Sequence, residues 1–334
     1  MGRKIPQASP PTLRSEVKRV LLDTNIWRYV LDGGAQSRLR LLASQGPYRI
    51  QIAPGVLYET LRLENAPLRD ALVRLMTHSC FERLMPEAYS ESMEILREVE
   101  RVRPEWLRRS PDLTFFNRLK KDWSRKTAGF WVRCARSTWK EAEFLQRSEG
   151  QMIAGAQAQT TDARQEMIDN GWKRNPSMDK TLAGFSTPMR GWRGDLVEMW
   201  RIDSWAGLTL GLGWQGNAYR DWIAPFVDVD DGLLQSVEWL EFWLYDADNA
   251  AMPRQWMRWA HSFAQRFRKP TPGSPGDTQL STYFMETDIV VSADKALIDI
   301  LTECRPFAPC SLPEGILVPA GPAGVGVLFE RLQA

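Results

Sequence analysis

Asp23, Glu59, Asp277 and Asp294 are the residues of this chain whose types and settings promise chemistry. Asp23 closes the apolar run Val20-Leu21-Leu22, and Asp294 closes Ile289-Val290-Val291-Ser292-Ala293. Both runs read as short buried strands with a polar group at the C-terminal end. Asp277 follows Pro275-Gly276 and opens a helix that leads into the second of these strands. Glu59 lies on a helical stretch that is otherwise largely apolar, with Val56, Leu57, Leu61 and Leu63 around it. In an open parallel sheet, ligands bind beyond the C-terminal strand ends, so Asp23 and Asp294 are expected to share one crevice. Carboxylates gathered in one place repel one another unless a cation lies between them. An all-oxygen set suits Mg²⁺ or Mn²⁺. Such an ion stabilises charge on a phosphodiester and lowers the pKa of an attacking water. Each residue also has a blander reading. Asp23, Asp277 and Asp294 would all serve as helix N-caps, and a glutamate on a helix usually faces solvent. Asn25 and Ser292 either orient carboxylates and waters or make structural hydrogen bonds only.

Positioning these groups requires strands alternating with helices at both ends of the chain. Residues 36–44, 55–77 and 87–101 have helical spacing, and Tyr48–Ala53 reads as a strand. Pro54 suits the first turn of the helix after it. Near the C-terminus the spacing predicts a helix from about 277, a strand over 288–294, a helix over 295–303 and a last strand over Gly315–Pro319. The pattern predicts an α/β fold, a mostly parallel sheet flanked by helices. The segment 269–276, Lys-Pro-Thr-Pro-Gly-Ser-Pro-Gly, reads as a linker. Residues 1–16 read as a Pro/Ser-rich arm without the apolar core of a secretory signal. No apolar run approaches the roughly 18 residues that span a bilayer. The expectation is a cytoplasmic protein with no membrane partner and with reduced, buried cysteines.

Composition excludes other chemistry. The 334 residues carry 43 Lys+Arg against 41 Asp+Glu, a formal charge of +2, so a grossly basic nucleic-acid coat is ruled out. Only His78 and His261 are available for imidazole catalysis, and Cys80, Cys134, Cys304 and Cys310 make no CxxC pair. The whole-chain balance hides a polarity: 97–147 has 14 basic and 7 acidic residues, whereas 148–262 has 10 and 16. Tryptophan is concentrated too, with 14 of 15 lying between 106 and 259. Helical spacing puts Trp239 with Trp243, and Trp256 with Trp259, on one face each. Trp123, Trp131 and Trp139 recur every eight residues, a stripe that favours core packing. The basic residues among them, Lys120, Lys121, Arg125, Lys126, Arg133, Arg136 and Lys140, suit either a phosphate backbone or a solvated helix face. Gly211-Leu-Gly213-Trp-Gln-Gly216 fits GxGxxG but lacks a βαβ setting, and it reads as a glycine-rich turn.

Four segments, in order, resemble the PIN domain: Val20-Leu-Leu-Asp23-Thr-Asn25-Ile-Trp27, Ala53-Pro-Gly-Val-Leu-Tyr-Glu59, Asp277-Thr-Gln-Leu-Ser and Asp288-Ile-Val-Val-Ser292-Ala-Asp294-Lys. PIN domains are metal-dependent nucleases, mostly ribonucleases, and include the VapC-like toxins of toxin–antitoxin pairs. The resemblance implies that Asp23, Glu59, Asp277 and Asp294 are both metal ligands and catalytic residues. It implies Asn25 and Ser292 as their polar companions, and it puts Asp288 at a position often acidic in the family. It covers 1–96 and 265–334 and leaves 97–264 as a large inserted helical module outside the pattern. It further implies an RNA substrate and, by analogy, an antitoxin partner and a homodimer. Two alternatives stay open: a non-catalytic PIN-fold scaffold or RNA-binding regulator, and a nuclease for structured or single-stranded DNA.

Overall fold

The computed structural model describes residues 17–147, 177–183, 193–268 and 274–333, with the single positions 161, 162, 164, 165, 169 and 171. The expected arm over 1–16 and most of the expected linker, 269–273, lie outside the described residues. The first flank runs β1 (Lys18–Leu22), α1 (Thr24–Asp32), α2 (Gln36–Gln45), β2 (Tyr48–Ile52), α3 (Pro54–Leu61), α4 (Ala66–Met76), β3 (Glu82–Arg83) and α5 (Glu87–Val102). The middle of the chain is helical: α6 (Leu113–Ser124), α7 (Phe130–Arg136), α8 (described over 138–147), α9 (Met178–Leu182), α10 (Leu196–Gly213), α11 (Ala218–Ile223), α12 (Asp231–Leu234), α13 (Val237–Glu241) and α14 (Pro253–Arg266). The second flank adds α15 (Ser274–Ser281), β4 (Ile289–Ser292), α16 (Lys295–Cys304), β5 (Glu314–Leu317) and α17 (Ala323–Gln333).

The five strands form one all-parallel sheet in the order β3-β2-β1-β4-β5. Val20, Leu21, Leu22, Val290 and Val291 are fully buried, as expected of strands covered on both faces. From β1 the chain builds outward through β2 and β3. It then returns to the other side of β1 and builds outward through β4 and β5. The strand order therefore reverses between β1 and β4, whose partners are Val20–Ile289 and Leu22–Val291.

The structure corrects several sequence-based boundaries. The predicted helix over 55–77 is two helices, because Asn65 accepts from the Leu68 amide (3.0 Å) and caps a new start with Pro67 in its first turn. Proline has no amide to continue the preceding hydrogen-bond ladder. β3 was not predicted; two residues are too few to show a period. The helix expected from 277 begins at Ser274, so Asp277 lies within its first turn and is not its cap. The Trp123/131/139 stripe is not one face of one helix. The chain breaks after α6, and Gly129, at φ +94°, turns it into α7. Trp131 is buried, Trp123 packs half-buried on the core, and Trp139 is 59% exposed. The core expectation does hold for Trp200, Trp222, Trp239, Trp243, Trp256 and Trp259, all buried.

A polar seam joins the middle of the chain to its flanks. Glu87, Glu91, Glu94 and Glu98 recur on α5 at helical spacing, and the last three are at most 2% exposed. Arg258 of α14 clamps Glu91 (2.6 and 3.0 Å). Arg254 binds Glu94 and reaches Glu286 at 2.8 Å. Glu98 pairs with Arg101 and accepts from the Asp248 amide. Glu87 accepts from Gln279 of α15 and from the Tyr283 hydroxyl. Buried carboxylates are tolerated only with such partners. Among the described residues, no helix is long and apolar enough to cross a membrane.

Candidate metal centre

The reversal of strand order places the C-terminal ends of β1 and β4 side by side. Asp23 follows β1 directly, and Asp294 follows β4 after one residue. Both also cap helices: Asp23 accepts from the Thr24 amide and Asp294 from the Ala296 amide, each at 2.6 Å. Capping and site membership therefore coincide, because the strand-to-helix corner points both carboxylates at the same opening. Glu59 arrives from α3 and Asp277 from α15. These helices run close together: a Cβ on Gly55 would lie 3.1 Å from the Gln279 side chain, and one on Gly276 3.9 Å from Glu59 Oε2. The four carboxylates line one cleft of about 220 Å³ with Thr24, Asn25, Arg28, Leu63 and Leu72.

Asp23 is held most firmly. Its Oδ2 accepts from the Ser292 hydroxyl at 2.5 Å and from Asn25 Nδ2 at 2.6 Å. Asn25 Oδ1 in turn accepts from the Ala293 amide (3.2 Å), and Ser292 Oγ accepts from the Asp294 amide (2.8 Å). Asn25 and Ser292 thus tie the two strand ends together, which makes them orienting groups. Thr24 was not singled out from the sequence, yet its hydroxyl donates to Glu59 Oε2 at 2.6 Å. Nothing local marks it, since its partner lies on another helix.

The electrostatics are those of crowded anions. Burial raises the Asp23 carboxyl to about 6, aided by the charges of Glu59 and Asp294 and opposed by the hydrogen bonds from Ser292 and Thr24. Burial raises Asp277 to about 8, with Asp23, Asp294 and Glu59 pushing the same way. Oxygen donors of this kind match a hard divalent cation, whose charge would relieve the repulsion. The carboxylates share the cleft without converging: among the described residues, no three His, Cys, Asp or Glu side chains form a ready-made ligand cage.

Asp288 is not part of the cleft. It precedes β4 at the opposite end of the strand, roughly 13 Å from Ser292 at about 3.3 Å per residue. There it binds Arg19 through the backbone amide (2.9 Å) and the guanidinium (3.0 and 3.1 Å). Arg28 reaches the cleft but pairs with Asp32, and Lys295 pairs with Asp299. Neither histidine has a catalytic setting. His78 contacts Cys80, and burial lowers buried His261 to about 3, keeping it neutral beside Thr278.

The basic segment stands next to this site. Tyr58, adjacent to Glu59 on α3, packs edge-on against Trp123 (6.4 Å) and Phe130 (5.5 Å). Lys121, Arg125, Lys126, Arg136 and Lys140 are exposed. Lys120 is half-buried with its ammonium 5.7 Å from the Tyr89 ring. Arg133 is committed to Asp122 (2.6 and 3.0 Å) and to Glu141 (3.2 Å), which counts against its phosphate role. In the GxGxxG segment, Gly211 and Gly213 end α10 and only Gly216, at φ +95°, lies in a turn. The first half of the segment is therefore the end of a helix and the second half a turn, and no strand leads into it.

Comparison with family models, with curated proteins and with solved structures found no match to this chain.

Proposed function

We propose that the chain is a PIN-like, metal-dependent endoribonuclease. One observation carries the reading: Asp23 and Asp294, at neighbouring parallel strand ends where the strand order reverses, share a cleft with Glu59 and Asp277. Asp23, Glu59, Asp277 and Asp294 would hold Mg²⁺ or Mn²⁺, whose chemistry is water activation and charge stabilisation on a phosphodiester. Ser292 and Asn25 hold the Asp23 carboxylate in one orientation, and Thr24 does the same for Glu59. Arg28 lies on the rim, where its pair with Asp32 would have to yield before it met a phosphate. The exposed lysines and arginines of α6 to α8 would hold an RNA backbone, a reading supported by the packing of Trp123 and Phe130 on Tyr58, the neighbour of Glu59. The test is cleavage of single-stranded RNA by the full chain in Mn²⁺, with EDTA and matched DNA as the other arms. No RNA cleavage in Mn²⁺ would overturn the reading, and preference for the DNA would reassign the substrate.

Two smaller effects follow. The triple variant Lys121→Glu, Arg125→Glu, Lys126→Glu is expected to lower RNA affinity about tenfold or more at moderate salt, with a shallower salt dependence. Filter binding across a salt series checks this; an unchanged slope would make the face merely solvated. Asp288→Asn is expected to leave cleavage within about twofold and to cost about 1 kcal/mol or less, because its pair with Arg19 is some 40% exposed. A tenfold loss of cleavage would put Asp288 back in the site.

A further inference from the structure

A second cavity, of about 350 Å³, lies between α10, α11, α14 and the start of α15. That volume is at the small end of ligand pockets, which run roughly 300–1,000 Å³. Its walls carry hydrogen-bonding groups that open into the cavity and have no protein partners among the described residues. Gln255, 5% exposed, and Ser204, 7% exposed, both line the cavity, and neither side chain has a hydrogen-bond partner among the described residues. Two guanidiniums border it. Arg258 uses Nε and Nη2 on Glu91, which leaves Nη1 without a partner among the described residues. Among the described residues Arg266 bonds only Asp203, at 3.2 Å, through Nη2. Asp203, the one carboxylate among the described residues of the wall, already accepts at Oδ2 from both Arg266 and Trp259. Donors that face a cavity without protein partners are free to meet an acceptor-rich ligand.

Space is provided as well as donors. Gly207, in the middle of α10, lines the cavity, and a Cβ built on it meets nothing within 4 Å. Gly207 is exposed, so the cavity is open on this side and a larger side chain here would project across its mouth. Tyr219 and Trp259 supply aromatic walls.

We propose that this cavity binds a small organic phosphate of mononucleotide size, its phosphate on the free N–H groups of Arg258 and Arg266 and its ring against the aromatic walls. The site lies apart from the acidic cleft. The two share only α15, where Thr278 borders the cavity and Asp277 the cleft.

The probe is adenosine 5′-monophosphate, titrated calorimetrically into the full chain in EDTA. EDTA and an Asp23→Asn background separate this site from the carboxylate cleft, so the result stands whether or not the chain cleaves RNA. Saturable binding is expected, at least tenfold weaker for adenosine and for inorganic phosphate. Gly207→Leu, which fills the space while favouring the helix, and Arg266→Gln are each expected to lower affinity at least tenfold with the ligand-free melting profile preserved. Four results would overturn the proposal: no binding at millimolar ligand, equal binding of adenosine, equal binding of inorganic phosphate, or unchanged affinity in a folded Gly207→Leu variant. Loss of binding in the Asp23→Asn background would assign the nucleotide to the acidic cleft and overturn it equally.

Discussion

Asp23→Asn is expected to lower the proposed Mn²⁺-dependent RNA hydrolysis by about 10³-fold or more, equivalent to roughly 4 kcal/mol of transition-state stabilisation. The substitution keeps the shape and one acceptor, so the cap on α1 survives through the Thr24 amide. What it loses is a charged oxygen at the centre of the site. It also places a second amide donor against Ser292 and Asn25, both of which donate to Asp23 Oδ2. A charged oxygen at the reacting centre matters more than a neutral one because the surroundings screen it little. Single-turnover cleavage with excess protein measures the chemical step, and a melting curve controls for folding. A variant cleaving within tenfold of wild type would remove Asp23 from the mechanism.

Asp277→Asn is expected to abolish cleavage while stabilising the protein in EDTA. In the folded protein the Asp277 carboxyl moves from its ordinary 3.8 to about 8. Between about pH 4 and pH 8 the folded state therefore holds a proton that the unfolded chain releases. Stability must fall as pH rises through that window, and the full cost is present only above it. Moving a carboxyl that far costs at most about 6 kcal/mol, and relaxation of a solvent-accessible cleft reduces this to the order of 2–3 kcal/mol. Asp23, raised to about 6, contributes in the same direction over a narrower window. Urea denaturation in EDTA at pH 5 and pH 8 checks the sign: wild type loses stability with rising pH, and the asparagine variant loses much less. Added Mn²⁺ should raise the wild-type midpoint at pH 8 more than that of the variant. Equal slopes for the two proteins in EDTA would show that Asp277 is not the strained carboxyl.

Much of the site was legible because its signals are local. An apolar run of strand length ending in Asp is visible in five or six residues, as at Val20–Asp23 and Ile289–Asp294. The sequence left Asn25 and Ser292 between orienting and structural roles, and their hydrogen bonds to Asp23 Oδ2 make them orienting groups. Other features had no local trace. Thr24 became a positioning group only when α3 brought Glu59 to it. Asp288 stood at a position often acidic in the family, and only the direction of β4 showed that it lies at the other end of the sheet from Asp294. The eight-residue Trp repeat suggested one stripe, and a glycine at positive φ divided it among separate helices. The spacing over 87–101 showed only a helix, and Arg254 and Arg258, some 160 residues later, made its glutamates a buried seam.

The sequence by itself determined the alternation of strand and helix, the caps at Asp23 and Asp294, and the chemical character of a site built from oxygen donors with neither histidine. Those depend on backbone preference and on periodicity, which act over a few residues. Only the tertiary structure decided that β1 and β4 are neighbours, that α3 and α15 close over their ends, and that the middle of the chain is joined to the flanks by buried ion pairs around a second cavity. Strand order and helix docking are set by which apolar faces bury one another across the whole chain, and residues 269 apart, such as Asp23 and Ser292, meet only when that packing is complete.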